Sequence, residues 1–220
     1  MTSLINYTYD NNGNCTKRTK VGSTTVDTTY TWDYHNRLVK AVSGNKTIEY
    51  TYDFQNRRIE KATTTTGSTT KQLDYLVYDG DQVDLEISGD SASGIGVSHR
   101  YLNAAAIDQV LADGQFNGTT VNPIWLLPDN EGTIRDLVSY DSQYLFTHQV
   151  YDSFGELRNS IPLFKLGGAQ ITTLIGYAGG IYDADLDMVQ FRDRWYNPST
   201  GRFMSQDPTG LGPDVNPYRY

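Results

Sequence analysis

Aromatic and polar residues alternate along most of this chain, and the alternation recurs in units of roughly twenty residues. Three clear copies begin at Tyr7-Thr8-Tyr9-Asp10, Tyr30-Thr31-Trp32-Asp33 and Tyr50-Thr51-Tyr52-Asp53. Because side chains at i and i+2 share one face of a strand, each copy predicts a short β-strand with two aromatic rings on one side. The Asp then ends the strand in an Asx-type turn, and the Gly or Asn three residues later tolerates a positive φ.

Each turn is followed by a second alternating segment, such as Arg37-Leu38-Val39-Lys40-Ala41-Val42, which predicts a strand running back. Degraded copies of the unit occupy residues 125–132 and 149–155. A period of this size is typical of one supersecondary unit repeated in an array. The sequence therefore predicts an all-β fold, an antiparallel β-meander of hairpins forming a curved strip. Tyrosines from successive units are expected to stack into ladders on one face of the sheet.

Residues 95–165 are less regular than the rest. The segment from Leu102 to Ala112 is compatible with a helix, although Gly114 soon interrupts it. Apolar residues at helical spacing do not persist beyond two turns, so at most one short helix is expected here. We divide the chain into a repeat strip at 1–165 and a C-terminal segment at 166–220.

Composition sharpens the fold class and excludes several functions. The chain has 17 tyrosines against seven phenylalanines and three tryptophans, and aromatic residues of this kind favour strands. A formal net charge of −8 argues against a nucleic-acid binder with a basic face. A single cysteine, Cys15, excludes an internal disulfide framework. The sequence contains neither a membrane-spanning apolar run nor a signal peptide at its start.

Several smaller groups of residues could suggest a metal site. Asp183-Ala184-Asp185-Leu186-Asp187 has alternating carboxylates like the start of a calcium loop, but lacks the Gly at loop position six and the late Glu. We interpret it, like the repeat Asp residues, as turn chemistry. His35, His99 and His148 share no metal-ligand spacing and are predicted to be polar strand residues. We expect no metal and no cofactor.

The last forty residues carry the most specific motif. Residues 192–211 read Arg-Asp-Arg-Trp-Tyr-Asn-Pro-Ser-Thr-Gly-Arg-Phe-Met-Ser-Gln-Asp-Pro-Thr-Gly-Leu, and Asn216, Tyr218 and Tyr220 follow. This closely resembles the RHS repeat-associated core, the C-terminal block of the RHS/YD-repeat family. The Tyr-Asp units before it resemble the family's YD repeats. The resemblance therefore covers nearly the whole chain.

The resemblance implies a fold and a set of site residues. In this family a strip of β-sheet spirals into a hollow shell around a toxic polypeptide encoded after the core. The core closes the shell and, in some members, cuts the chain with an aspartyl-protease-like pair of carboxylates. Asp207 matches the Asp of the Asp-Pro-x-Gly-Leu motif and is the best candidate for one carboxylate. Asp193 and Asp214 are candidates for the second, and Arg202 could orient a carboxylate or lower its pKa.

The sequence departs from the family pattern at its end and at two internal positions. The chain ends nine residues after Leu211, with neither a second Asp-Pro-x-Gly-Leu segment nor a cargo. We therefore expect that it does not cleave itself as it stands, and that it is too short to close a shell. Asn197 stands where Asp is common before the Pro, and residues 186–188 replace a usual Thr-Gly-Leu.

Three functions from different classes remain open. The first is a structural shell piece that encloses or presents a C-terminal toxin. The second is a self-cleaving aspartyl-protease-like core, and the third is a cell-surface adhesion or glycan-binding module. The expected partners are a toxin polypeptide, the rest of the shell, or further copies that pair through the strand edges. Nucleic acid is not expected, and localisation is expected to be secreted or cell-surface, through a secretion machinery or a larger precursor.

Overall fold

A computed structural model describes residues 4–23, 25–106, 108–141, 144–162, 165–166, 169–208, 210 and 215–220. Fourteen antiparallel strands form one sheet in which each strand pairs with its neighbours in sequence. They are β1 (Ile5–Tyr9), β2 (Cys15–Lys20), β3 (Thr28–Trp32), β4 (Leu38–Ser43), β5 (Lys46–Tyr52), β6 (Arg58–Thr65), β7 (Lys71–Asp79), β8 (Gln82–Asp90), β9 (Gly94–Asn103), β10 (Val110–Asn117), β11 (Thr120–Pro128), β12 (Ile134–Ser139), β13 (Leu145–Tyr151) and β14 (Leu157–Pro162). The predicted antiparallel meander is confirmed.

The residues after β14 form two smaller sheets. A two-stranded hairpin joins β15 (Lys165–Leu166) and β16 (Ala169–Gln170), and a 3-10 helix spans Tyr177–Gly179. A four-stranded sheet follows, in the order β17 (Ile181–Asp183), β18 (Met188–Phe191), β19 (Arg194–Asn197) and β20 (Arg202–Phe203). Across the residues that the structure describes, no helix has the length and apolar character needed to span a bilayer.

The described residues of 102–112 do not form the helix that their sequence allows, which agrees with the expectation of at most one short helix in this region. Strand β9 continues to Asn103, and β10 begins at Val110, which is buried. The Gln82 side chain donates a hydrogen bond of 2.8 Å to the carbonyl of Ala106 in the intervening loop. Strands β9 and β10 pair with β8 and β11 on either side of this loop, so tertiary context overrides a weak local helix propensity.

The Asx turns predicted for the repeats are confirmed. Oδ1 of Asp33 accepts hydrogen bonds of 2.9 Å from the backbone N–H groups of His35 and Arg37. Oδ2 accepts a third bond of 2.8 Å from Nε of Arg37, and Asn36 adopts a φ of 60°. Burial alone would raise the pKa of the Asp33 carboxyl, but these bonds from Arg37 outweigh it and lower the pKa below its ordinary value. His35 therefore lies in a turn, and the prediction that it is a strand residue is wrong.

Successive repeats are joined through arginine and tyrosine. The guanidinium carbon of Arg37 lies 5.1 Å from the centre of the Tyr52 ring in the next unit, and the Tyr52 hydroxyl donates to the carbonyl of Leu38 at 2.8 Å. Arg57 lies over the Tyr78 ring in the same way, at 4.9 Å. The prediction that tyrosines of successive units stack on one another is therefore wrong for these units. Each tyrosine ring faces an arginine instead, because the arginine that closes one turn lies beside the tyrosine of the next unit.

Two hydrophobic clusters attach the C-terminal residues to the same face of the large sheet. One contains Leu38 and Ile48 of the strip together with Met188 and Trp195. The other contains strip residues from β7 to β13 together with Ile171 and Ile175: Leu76, Val83, Tyr101, Val110, Ile124, Leu126, Ile134, Leu137 and Phe146. Because both halves of the strip pack on one short segment, the sheet wraps around its own C-terminal residues.

The two ends of the strip approach each other without pairing. The order of strands runs linearly from β1 to β14, as expected for a strip too short to close. Ile5 and Lys20 at one end, and Leu157 at the other, line a shared cavity of about 540 Å³. A gap therefore separates the first and last strands in the part of the chain that is described.

Two of the three histidines lie on strands, as predicted. His99 on β9 lies with Nδ1 2.9 Å from both carboxylate oxygens of Asp113, whose side chain is fully buried. His148 on β13 lies 2.6 Å from Oδ1 of Asp136. Each histidine therefore bonds to a carboxylate on a neighbouring strand, and their role as polar strand residues is confirmed.

Candidate functional site

The segment that carries Asp207 is fixed between the small sheet and the strip. The backbone N–H of Met204 donates to the carbonyl of Trp195 at 2.8 Å, and the carbonyl of Met204 accepts from the N–H of Cys15 at 2.8 Å. Three residues later the N–H of Asp207 donates to the carbonyl of Pro217 at 3.0 Å. Backbone hydrogen bonds to the small sheet, to the strip and to the C-terminal tail therefore hold the segment that carries Asp207.

The Asp207 side chain faces an arginine that sequence reasoning had not singled out. Its Oδ2 lies 3.0 Å from Nη1 of Arg194, an ion pair that is not also a hydrogen bond. The Arg194 guanidinium also lies 3.6 Å from the centre of the Phe203 ring, which limits its movement. Both charged side chains are about one-fifth exposed, although Nη1 of Arg194, the nitrogen nearest Asp207, is itself buried. Arg194 stands two residues after Arg192 in the core motif, which was the only sequence signal for it.

The other predicted site residues lie in different places. Asp193 is exposed in the two-residue turn between β18 and β19, where it lines a cavity that faces the strip. Arg202 is exposed on β20 and forms a backbone bridge with Arg219. Asp214 lies outside the described residues. The contacts of the described residues therefore join Asp207 to Arg194, and the second carboxylate stays a prediction.

This geometry supplies part of what aspartyl-type hydrolysis needs. The reaction requires two carboxyls that share one proton, so that one activates water and the other polarises the scissile carbonyl. Asp207 provides a positioned, water-accessible carboxyl, and Arg194 provides a fixed positive charge beside it.

A second group of charged residues lies buried between the strip and β17. Asp183 accepts hydrogen bonds from the Tyr50 hydroxyl at 2.8 Å and from Nζ of Lys61 at 2.9 Å, and Nη1 of Arg58 lies 3.5 Å away. Burial would lower the pKa of Lys61, but the charges and hydrogen bonds of Asp183 and Asp185 outweigh it and raise the pKa. These carboxylates, which resembled the start of a calcium loop, are neutralised by side chains of the strip.

No metal site emerges from the described side chains. Within the described ranges, no group of three or more His, Cys, Asp or Glu residues is arranged to hold a metal ion. The Asp183 oxygens accept bonds from Tyr50 and Lys61 instead. Asp183 is thus a structural link between the two sheets.

The C-terminal residues return to the first hairpin of the strip. The Tyr218 hydroxyl donates to the carbonyl of Gly13 at 2.9 Å. The ring of Tyr220 packs against Tyr196 with 4.8 Å between ring centres, and against Phe191 at 5.4 Å. The core motif therefore ends in aromatic contacts that hold the tail on the small sheet and the strip.

Comparison with known proteins supports one family. Residues 122–216 match the Teneurin YD-shell family. The chain is 25% identical over 222 residues to the tRNA3(Ser)-specific nuclease WapA of Bacillus spizizenii, covering 96% of this chain and 8% of that protein. It is 26% identical over 200 residues to the probable deoxyribonuclease RhsB of Dickeya dadantii, covering 87% of this chain and 12% of that protein. The chain thus spans about a tenth of the length of these relatives.

Solved structures give the same fold. The chain superposes on the crystal structure of TcdB2-TccC3-Cdc42 with a TM-score of 0.70 and 16% identity, over 98% of this chain and 12% of that one. The open antiparallel strip, the Asp-centred turns and the core motif are thus found together in one chain. The family match, the two relatives and the shared fold together support the RHS/YD-repeat family for this chain.

Proposed function

We propose that this chain is a wall segment of an RHS shell that encloses or presents a toxin polypeptide. The observation that carries the proposal is the open strip wrapped around the core segment. Both halves of the strip pack on the C-terminal residues. The N-terminal half contacts Trp195, and the C-terminal half contacts Ile175. A polypeptide continuing beyond the core would therefore begin at the shell wall.

A wall segment needs edges that can pair with further strands. The N–H of Val21 donates to the carbonyl of Leu4 at 2.8 Å, and in an antiparallel pair the hydrogen-bonded positions alternate. The N–H of Ile5 therefore points away from β2, towards the free edge. An unpaired row of this kind is a template for another strand, from the rest of the shell or from a second copy.

Sedimentation velocity tests the edge. We expect the chain to associate as its concentration rises, and Ile5→Pro to reduce the association because proline removes an outward N–H from β1. The matched control is Ile5→Val, which keeps the N–H and should associate like the original chain. A compact monomer at high concentration, or equal association of the two variants, would contradict pairing through this edge.

The core is also a candidate for self-cleavage, and the Asp207–Arg194 pair is the observation that favours it. In the proposed step, a carboxylate takes a proton from water and the water oxygen attacks the scissile carbonyl. The amide C–N bond then breaks, and its nitrogen leaves with a proton. Asp207 is proposed as one of the two carboxyls, with Asp193 and Asp214 as candidates for the other.

An extended chain tests this second function separately. We would add a second Asp-Pro-x-Gly-Leu segment and a reporter polypeptide after Tyr220 and follow the products by mass spectrometry. A fragment with the mass of the extension is expected, and Asp207→Asn should abolish it. Asp141→Asn, at an exposed turn position, is the control and should leave cleavage unchanged. Retention of full length in every variant would overturn the cleavage proposal and leave the wall-segment proposal standing.

A further inference from the structure

A groove follows β10 on the face of the strip that points away from the C-terminal segment. Ala112 on β10 pairs with Leu102 on β9 and with Trp125 on β11, and directly paired residues share a face. Tyr101 and Ile124, which precede two of these residues in sequence, are buried in the cluster that contacts the C-terminal segment. Because side chains alternate between the faces of a strand, the three paired residues lie on the opposite, outer face.

Small residues on β10 form the floor of this outer groove. Ala112 and Gly114 both belong to the outer face, and Gly114 lies between Arg100 on β9 and Pro123 on β11. The groove has a volume of about 760 Å³, within the range of ligand sites in proteins. Its lining runs along β10 from Ala112 to Phe116, about 13 Å of strand, which matches roughly four residues of extended peptide.

The walls of the outer groove carry exposed apolar side chains. The rings of Trp125 and Tyr140 lie 5.9 Å apart between centres, with their planes inclined by 41°. Both rings, together with Leu102 and Val121, are more than a third exposed. Among the described residues, the indole N–H of Trp125 has no acceptor. Apolar side chains that are grouped and exposed in this way mark an interaction site.

The charged side chains that line the outer groove are Asp79, Asp84 and Arg100. Within the described ranges, none of the three forms a salt bridge. The two carboxylates lie on β7 and β8, and therefore on one side of the groove. Two carboxylates against one guanidinium leave one negative charge uncompensated. Charge complementarity thus favours a ligand with one cationic group on that side.

The face of the sheet offers a ligand few backbone partners. Strand β10 pairs with both β9 and β11, so its N–H and C=O groups bond within the sheet. A peptide on this face therefore cannot add as a further strand, and its own N–H groups would find few acceptors. Proline has no N–H, and a proline-rich segment is extended before it binds. For these reasons proline-rich segments suit grooves lined by aromatic rings.

A sugar suits the outer groove less well, because its hydroxyl groups need hydrogen-bonding partners around the ring. The amide nitrogens of two lining residues are already in use. That of Gln82 donates to the carbonyl of Ala106 at 2.8 Å, and that of Asn103 donates to the carbonyl of Val83 at 2.8 Å. The remaining walls are mainly apolar, which favours the peptide.

We infer that the outer groove binds a proline-rich peptide segment that carries a basic residue at one end. The prolines would pack between Leu102 and Trp125, over the floor at Ala112. The indole N–H would donate to a peptide carbonyl, and the basic residue would lie near Asp79 and Asp84. The proposed wall segment does not use this face, so either proposal can fail without the other.

Calorimetric titration of the full chain with synthetic peptides tests the inference. The probe is acetyl-Arg-Ala-Pro-Pro-Leu-Pro-Pro-amide. Replacing its four prolines with alanine should weaken binding by about tenfold or more, because packing and the extended conformation are lost. Replacing its arginine with glutamate should weaken binding by about threefold. Cellohexaose, a neutral sugar probe, should not bind.

Three outcomes of this titration would overturn the inference. They are the absence of binding by the probe peptide, equal affinity of the probe and its alanine analogue, and binding of cellohexaose without binding of the peptide.

The tryptophans report where the probe binds. The indole N–H of Trp32 donates to the carbonyl of Cys15 at 2.7 Å, and that of Trp195 donates to the Tyr52 hydroxyl at 3.2 Å. In an NMR titration the probe should therefore shift the indole signal of Trp125 and leave the other two in place. A shift of those two with Trp125 unmoved would contradict the proposed site.

Filling the groove separates binding from folding. Ala112→Leu places a larger side chain between Leu102 and Trp125 and should weaken probe binding by about tenfold or more. Its far-UV circular dichroism should not change, because the side chain points away from the core. Ala92→Leu, in the exposed turn between β8 and β9, is the matched control and should bind like the original chain. Full affinity of Ala112→Leu would contradict binding in this groove.

A charge variant tests the acidic side of the groove. Asp84→Asn should weaken binding of the arginine probe by about threefold and should not weaken binding of its glutamate analogue. The preference for arginine over glutamate should therefore shrink. An unchanged preference would contradict the contact between the basic residue and Asp84.

Discussion

Asp183→Asn is expected to lower the free energy of unfolding by about 3–5 kcal/mol. The carboxylate is fully buried and is bonded to Tyr50 and Lys61, with Arg58 beside it. Removing its charge leaves buried positive charges undercompensated, and that is the costly case for a buried ion pair. Urea denaturation followed by tyrosine and tryptophan fluorescence would measure the loss.

Asp185→Asn is the matched control for this prediction. Its carboxylate lies 2.8 Å from Nζ of the same lysine, Lys61, but its side chain is partly exposed to water. Solvent screens such a pair, so a cost of only about 1 kcal/mol is expected. Equal costs for the two variants would mean that burial at Asp183 does not decide the strength of this contact.

Gly155→Ala is expected to destabilise the protein by about 2–5 kcal/mol. Gly155 closes the Asp152 turn with a φ of +82°, where an L side chain costs about 1–2 kcal/mol. A Cβ built there would overlap ring atoms of Tyr177, which is buried and packed against Tyr196. Displacing that ring adds an overpacking cost of about 1–3 kcal/mol. Thermal and urea denaturation would measure the sum.

Gly80→Ala isolates the backbone part of this effect. Gly80 has a φ of +59°, and a Cβ there would meet no atom within 4 Å. Only the backbone cost of about 1–2 kcal/mol is expected for this variant. If the two variants were equally destabilised, the turn at Gly155 would not be held rigidly against the Tyr177 ring.

The repeat turns could be predicted from sequence because their chemistry is local. An Asp that bonds to backbone N–H groups two and four residues later, with Asn or Gly at a positive φ between them, needs no distant partner. The position of Arg37 over Tyr52 could not be predicted, since it depends on the register between neighbouring hairpins. The same holds for Arg194, whose contact with Asp207 crosses from β19 to the segment after β20.

The 102–112 segment shows a different case, in which local reasoning left both a helix and strands possible. Its residues tolerate a helix in isolation, and helix propensities differ by less than 1 kcal/mol for ordinary residues. Pairing of β9 and β10 with each other and with β8 and β11 supplies backbone partners for the strand residues, and Tyr101 and Val110 are buried. Those contacts outweigh the small local preference.

The sequence by itself determined the strand-and-turn unit and the antiparallel meander, because alternation and turn chemistry are short-range properties of the chain. Only the tertiary structure decided what the strip wraps around. Asp183 looked like part of a surface turn and is instead a buried link to Tyr50 and Lys61, more than a hundred positions away in sequence. The cavity that Asp193 lines likewise combines the hairpin ends of the strip with the small sheet. Such contacts depend on how the whole strip curves, and no short segment encodes that curvature.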